Sequence, residues 1–185
     1  MKRSQALVCT FSLACLAVAG AARAQGPEPP KPGPEHERLK KAVGVWDATV
    51  EMFQAPGQPP EVSKGTETNT MTAGGLWLVT DFKSTMGGQP FEGHGLAGYD
   101  PAKKKYVGTW VDSWTTMLAT SESTFDPATK TETAYMDMAD PTGKVVKTKM
   151  QTTWKDDDTR VFVLYGAGPD GKEAPGLKIT YKRRK

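Results

Sequence analysis

Cysteine and histidine are nearly missing from this chain of 185 residues, which has two of each. Both cysteines, Cys9 and Cys15, fall in an apolar N-terminal stretch, so the rest of the chain has neither disulfide nor thiol chemistry. With His36 and His94 as the only imidazoles, a zinc site of ordinary composition lacks ligands. No Gly-x-Ser-x-Gly elbow is present, which removes the commonest sequence sign of a serine hydrolase. Past the N-terminal stretch there is no apolar run near the roughly 20 residues a membrane helix requires. Helical periodicity is scarce as well: only Glu35 to Ala42 carries it, and that segment is short.

The ends of the chain bias its composition. Lys2 and Arg3 precede the apolar run ALVCTFSLACLAVAG, and Ala22-Arg23-Ala24 supplies a small-x-small cleavage signal. Residues 1–24 are therefore expected to be a cleaved secretory signal, and the protein to be exported, periplasmic or extracellular. Lipid attachment at Cys15 is the other processing this stretch admits. Ser12, where such sites place leucine, and the apolar sequence after Cys15 count against it. Without Lys2, Arg3 and Arg23 the 24 basic residues become 21, equal to the 21 acidic ones. The basic balance thus belongs to the export signal, and nucleic acid is not implied as a partner. Removal of 24 of the 185 residues leaves 161, enough for a single domain. Residues 25–34, QGPEPPKPGP, hold five prolines and read as an extended linker rather than a packed element. The domain is expected over 35–185, with no stable membrane anchor after cleavage. Its last four residues, KRRK, read as a solubilising tail.

Between these ends, turn signals recur at short intervals: Ala55-Pro56-Gly57, Gly74-Gly75, Gly87-Gly88, Asp100-Pro101, Asp126-Pro127, Asp140-Pro141-Thr142-Gly143, Asp156-Asp157-Asp158 and Gly168-Pro169-Asp170-Gly171. The runs between them are rich in Thr, Val, Trp, Tyr and Phe. About ten strands joined by tight turns, with no helix long enough for a parallel crossover, predict an all-β, antiparallel up-and-down sheet. Closure into a barrel would remove its edges.

The register of the central strands follows if Gly87-Gly88 is a two-residue hairpin loop. Met86 then faces Gln89, Lys83 pairs with Glu92, and Asp81 with His94. Cross-strand pairs of this kind contribute about 0.2–1 kcal/mol each, and a one-residue slip loses both. Pairing Tyr99 with Tyr106 carries the alternation onward. One face then holds Leu76, Leu78, Phe82, Phe91, Tyr99, Tyr106, Trp110, Asp112 and Trp114. The other holds Asp81, Lys83, Glu92, His94, Thr109 and Ser113. The first face is the interior, with Gly93 and Gly95 making room opposite Asp112 and Trp110. The preceding hairpin admits two solutions. A two-residue Gly74-Gly75 loop turns Glu67, Asn69 and Met71 inward, and a three-residue loop turns Thr66, Thr68 and Thr70 inward.

Val43-Gly44-Val45-Trp46, following a short helical segment, resembles the Gly-x-Trp opening of calycin barrels: lipocalins, fatty-acid-binding proteins and nitrobindins. More specifically, Gly74-Gly75-x-Trp77, Phe91-x-Gly93-x-Gly95 and GYDPAKKKYVGTWVDS resemble the bacterial domain-of-unknown-function family 1579, over about residues 36–183. The resemblance implies a calycin-like barrel of about ten strands with a short N-terminal helix, and it implies no settled activity. It also implies that Trp46 packs against a basic residue near the last strand. In GLKITYKRR, Leu177, Ile179, Tyr181 and Arg183 share a face, so Arg183 is the candidate, through a cation–π contact. Nitrobindin-like haem binding would need an inward histidine, whereas the register turns His94 outward and His36 begins the domain. No cofactor or metal is implied. The methionines are spread over several strands and read as core filling.

These readings point to an exported barrel that holds a small, largely apolar ligand. Phe82, Tyr99, Trp110 and Trp114 would line the pocket, and Asp112 would orient a polar group. Two alternatives stand beside it. One is a packed barrel that serves as a structural or interaction module. The other is a hydrolase in which Asp112 works with a second inward carboxylate such as Glu67.

Overall fold

Among the described residues one short helix, α1 (Pro34–Lys40), precedes ten strands: β1 (Gly44–Met52), β2 (Glu61–Thr72), β3 (Trp77–Met86), β4 (Gln89–Asp100), β5 (Lys105–Asp112), β6 (Ala119–Asp126), β7 (Thr131–Ala139), β8 (Val145–Trp154), β9 (Thr159–Ala167) and β10 (Glu173–Arg183). The computed structural model describes residues 28–54, 57–139, 143–168 and 172–185. The expected signal peptide, both cysteines and the turn signals at 55–56, 140–142 and 169–171 lie outside the described residues. Lys31–Lys185 forms one compact unit.

Each strand pairs antiparallel with its neighbours in sequence, and β1 pairs with β10, so the sheet closes into a barrel. Closure gives every strand two partners and leaves no row of unpaired backbone groups. The register matches the sequence reading at each central pair: Met86 with Gln89, Lys83 with Glu92, Asp81 with His94, Gly95 with Trp110, Gly93 with Asp112 and Tyr99 with Tyr106. On the outer face His94 Nδ1 lies 2.6 Å from Asp81 Oδ1, and Lys83 Nζ lies 3.2 Å from Glu92 Oε1.

The β2–β3 connection settles the open alternative. Thr72 pairs with Trp77 across four residues, and Ala73, Gly74 and Gly75 all have positive φ. Four residues preserve the parity of a two-residue loop. Glu67 and Asn69 therefore point inward, 6% and 2% exposed. Leu76, expected on the inner face of the strand, instead belongs to the turn.

Helix α1 has Pro34 at its start, acidic Glu35 and Glu37 in its first turn and basic Arg38 and Lys40 in its last. These placements suit the helix dipole. At seven residues it is too short to persist without tertiary contacts. Leu39 and Ala42 supply those contacts by packing on Leu78 and Tyr106. Arg38 lies over the rings of Tyr106 and Phe125, 4.3 and 4.5 Å from their centroids, and pairs with Glu132. The helix thus covers the barrel end where β3, β5 and β7 begin.

At this same end Trp46 is fully buried and donates from Nε1 to Ala42 O at 2.9 Å. Arg183, its register partner on β10, sits 4.1 Å from the ring centroid. The Arg183 guanidinium also donates to Val43 O at 2.6 Å and to Lys41 O at 2.8 Å. Arg184 pairs with Asp47. The C-terminal basic cluster, read from sequence as a solubilising tail, is therefore partly structural: two of its four residues bind the start of β1 and the segment before it.

Candidate functional site

The barrel is not filled at the end away from α1. A cavity of about 550 Å³ opens there. Its walls come from the far ends of the strands: Met52 of β1, Met86 of β3, Phe91 of β4, Met138 of β7, Leu164 of β9 and Leu177 of β10. Phe82, Trp110, Met136, Met150, Phe162 and Ile179 line it further in. Strand alternation sends every second side chain of each strand inward, and closure brings ten such sets together. Five methionines meet here, so residues that are scattered along the sequence form one adaptable, polarizable surface.

The floor is polar. Arg160, 9% exposed, pairs with Glu67 and lies over the rings of Tyr181, Trp46 and Trp154 at 4.2, 4.7 and 5.7 Å. Glu67 also accepts from Asn69 Nδ2, and Asn69 Oδ1 accepts from Thr80 Oγ1 at 2.6 Å. Burial pushes the Tyr181 hydroxyl well above the usual tyrosine value of 10.0, and the nearby Glu67 charge pushes the same way. A raised folded-state value means that the unfolded chain loses this proton first. The stability contributed by Tyr181 is therefore complete below about pH 10 and is lost as pH rises above it. Urea midpoints measured between pH 9 and pH 11 (roughly spanning that range) should fall, and should fall less steeply in Tyr181→Phe.

The rim is built around Asp112. Its Oδ2 accepts from Trp110 Nε1 at 3.0 Å, and its Oδ1 accepts from the backbone N–H groups of Trp114 and Thr115 at 2.9 and 3.0 Å. These last two bonds form an Asx-type turn that ends β5 at Asp112. Trp114, expected as an inward strand residue, consequently falls in the following loop and is 51% exposed, its ring set edge-on to Phe91 at 5.1 Å. Trp110 lies across two glycines. A Cβ on Gly93 would meet Trp110 Cζ2 at 2.1 Å, and one on Gly95 would meet Cε3 at 3.2 Å. The glycines therefore set the depth of the indole, and through it the width of the cavity.

Four of the five ligand-lining residues expected from the sequence border the cavity: Phe82, Trp110, Asp112 and Trp114. Tyr99 does not. It lies on the inner face of β4 but at the helix end, packed against Tyr106 at 5.3 Å and His36 at 6.4 Å. Alternation identifies the face of a residue but not its height along the barrel, and at about 3.3 Å per residue Tyr99 stands far below Gly93. A second, smaller cavity of about 150 Å³ lies nearer that end, bordered by Ser121, Ser123, Glu132 and Thr152, with Met150 and Phe162 shared between the two. Among the described residues no group of three or more His, Cys, Asp or Glu is placed to hold a metal ion.

A family described as protein of unknown function, DUF1579, matches residues 31–183. The chain belongs to the DUF1579 family. Among solved structures, this DUF1579 barrel is similar to Rv2717c from M. tuberculosis, at 12% identity and a TM-score of 0.60, covering 83% of this chain and 99% of that one. It is similar also to the S-type phycobiliprotein lyase CPES from Guillardia theta, at 11% identity and a TM-score of 0.59, covering 82% and 93%. Likenesses at such identities establish a shared barrel fold. A comparison with curated proteins finds no match.

Within the DUF1579 chain, sequence reasoning missed the Arg160–Glu67 and Arg38–Glu132 pairs. Arg160 was detectable in principle, because it alternates with Phe162 and Leu164 on β9 and so shares their inward face. Its pairing with Glu67, 93 residues earlier, was not.

Proposed function

We propose that this barrel is an exported binding protein that holds a small, largely apolar ligand in the cavity away from α1 and does not transform it. The cavity itself supports this reading: about 550 Å³ of interior space, walled chiefly by methionine, aromatic and aliphatic side chains. That volume falls within the range of small-molecule sites, which combine apolar walls with a few fixed polar groups. A barrel serving only as a packed module has no reason to leave this space unfilled, since voids in a core cost stability. The hydrolase alternative requires two available carboxylates. Here Glu67 is already paired with Arg160 and accepts from Asn69, which leaves Asp112 without a second free carboxylate at the cavity among the described residues.

The test is a tryptophan-fluorescence titration with uncharged hydrophobic probes, supported by calorimetry. Trp110 and Trp114 border the cavity, so a bound probe should change their emission. Leu164→Trp places an indole in the cavity and should weaken binding by about tenfold or more while leaving the fold intact, since Leu164 is only half-buried. Binding unchanged in Leu164→Trp would place the ligand elsewhere and overturn the reading.

A further inference from the structure

The charges around the cavity are unevenly matched. Among the described residues three charged side chains border it, Glu67, Arg160 and Asp112, and no lysine or histidine does. At the floor Glu67 and Arg160 neutralise one another. Asp112, at the mouth, is held among the described residues by neutral donors: one indole N–H and two backbone N–H groups. Those bonds orient the carboxylate but do not cancel its charge. A carboxylate offers about four acceptor positions, and the three donors leave room on Oδ2. Beside it stand the rings of Trp110, Trp114 and Phe91, whose faces attract cations through their quadrupoles.

We propose that the ligand is a cationic amphiphile: an apolar body among the methionines and aromatics, and an ammonium group at the mouth between Asp112 and the Trp114 side chain. This rests on the binding function proposed above and specifies its ligand class. The same charge pattern disfavours acids. A carboxylate at the mouth would face the charge of Asp112 in a partly dry setting. A cation at the mouth meets an oriented anion and aromatic faces while its apolar body remains in the cavity.

The experiment compares three probes of equal chain length, each below its aggregation threshold: decyltrimethylammonium, decanol and decanoate. Calorimetry on the purified protein at low and high salt should show the ammonium probe binding about tenfold tighter than decanol, with decanoate weakest and the cation preference shrinking as salt rises. Asp112→Asn keeps an oxygen for the two backbone N–H groups and removes the charge, so it should bring the ammonium and decanol affinities together. Trp114→Leu removes an exposed ring at the mouth and should weaken the ammonium probe severalfold more than it weakens decanol. Decanol or decanoate binding as tightly as the ammonium probe, or an undiminished cation preference in both variants, overturns this proposal and leaves the binding function standing. Failure of all three probes to bind overturns both.

Discussion

Replacing Arg160 by methionine is expected to destabilise the barrel by about 3–5 kcal/mol, because it leaves the Glu67 carboxylate buried without its cation. Methionine preserves much of the length and the apolar contact with Trp46, Trp154 and Tyr181, so the loss reports mainly the uncompensated charge. Replacing both partners, Glu67→Gln with Arg160→Met, should restore a large part of that stability. A buried ion pair is costly to break and nearly neutral to delete, since desolvating two charges offsets most of their attraction. Urea denaturation of the wild type, the single variant and the double variant checks this. A single variant within about 1 kcal/mol of wild type would mean that the pair behaves like an exposed one. The same comparison bears on function, because the pair forms the floor of the cavity and its loss would admit water to a site that is now largely apolar.

Trp46→Ala should cost a similar amount, about 3–5 kcal/mol, as expected for deleting a large aromatic side chain in a core. Its side chain is fully buried, and two arginines depend on its ring. Its Nε1 holds the carbonyl of Ala42, next to the segment that leads from α1 into β1. Loss of this residue should therefore loosen the helix before it opens the barrel. Hydrogen exchange is expected to rise first in residues 34–43, while the central hairpin of β3 and β4 remains protected. Equal acceleration in both regions would show that the tryptophan supports the barrel as a whole rather than the covered end. Because Trp46 does not border the large cavity, ligand affinity should change less in this variant than in Arg160→Met.

Trp46 and Tyr99 show how sequence and structure divide the explanation. Trp46 is locatable because Gly-x-Trp after a short helix resembles the opening of calycin barrels, which implies a basic partner near the last strand, and alternation in β10 then selects Arg183. Alternation gives Tyr99 its inner face but not its height, and the structure sets it beside Tyr106 and His36 at the helix end. Side-chain alternation is a property of one strand and its immediate partner, so it specifies inside against outside. Height depends on where each strand begins around the whole barrel, which ten successive registers decide together.

Alternation places Asp112 as an inward neighbour of Trp110, but two of its three hydrogen bonds go to backbone N–H groups just beyond it. Those bonds end the strand and turn Trp114 toward solvent, a local choice between ladder and side-chain partner that periodicity does not resolve. The methionines read from sequence as core filling, whereas closure gathers five of them around one open space.

By itself, the sequence determined the strand count, the antiparallel order, the register of the central hairpins and the outward placement of His94. Each follows from turn chemistry and a two-residue period, which act over short separations. The tertiary structure decided the rest: which end α1 covers, that Arg160 meets Glu67, and that the other end keeps an open cavity. These depend on contacts between residues as much as 93 positions apart, where no local preference acts and only the closed barrel brings the partners together.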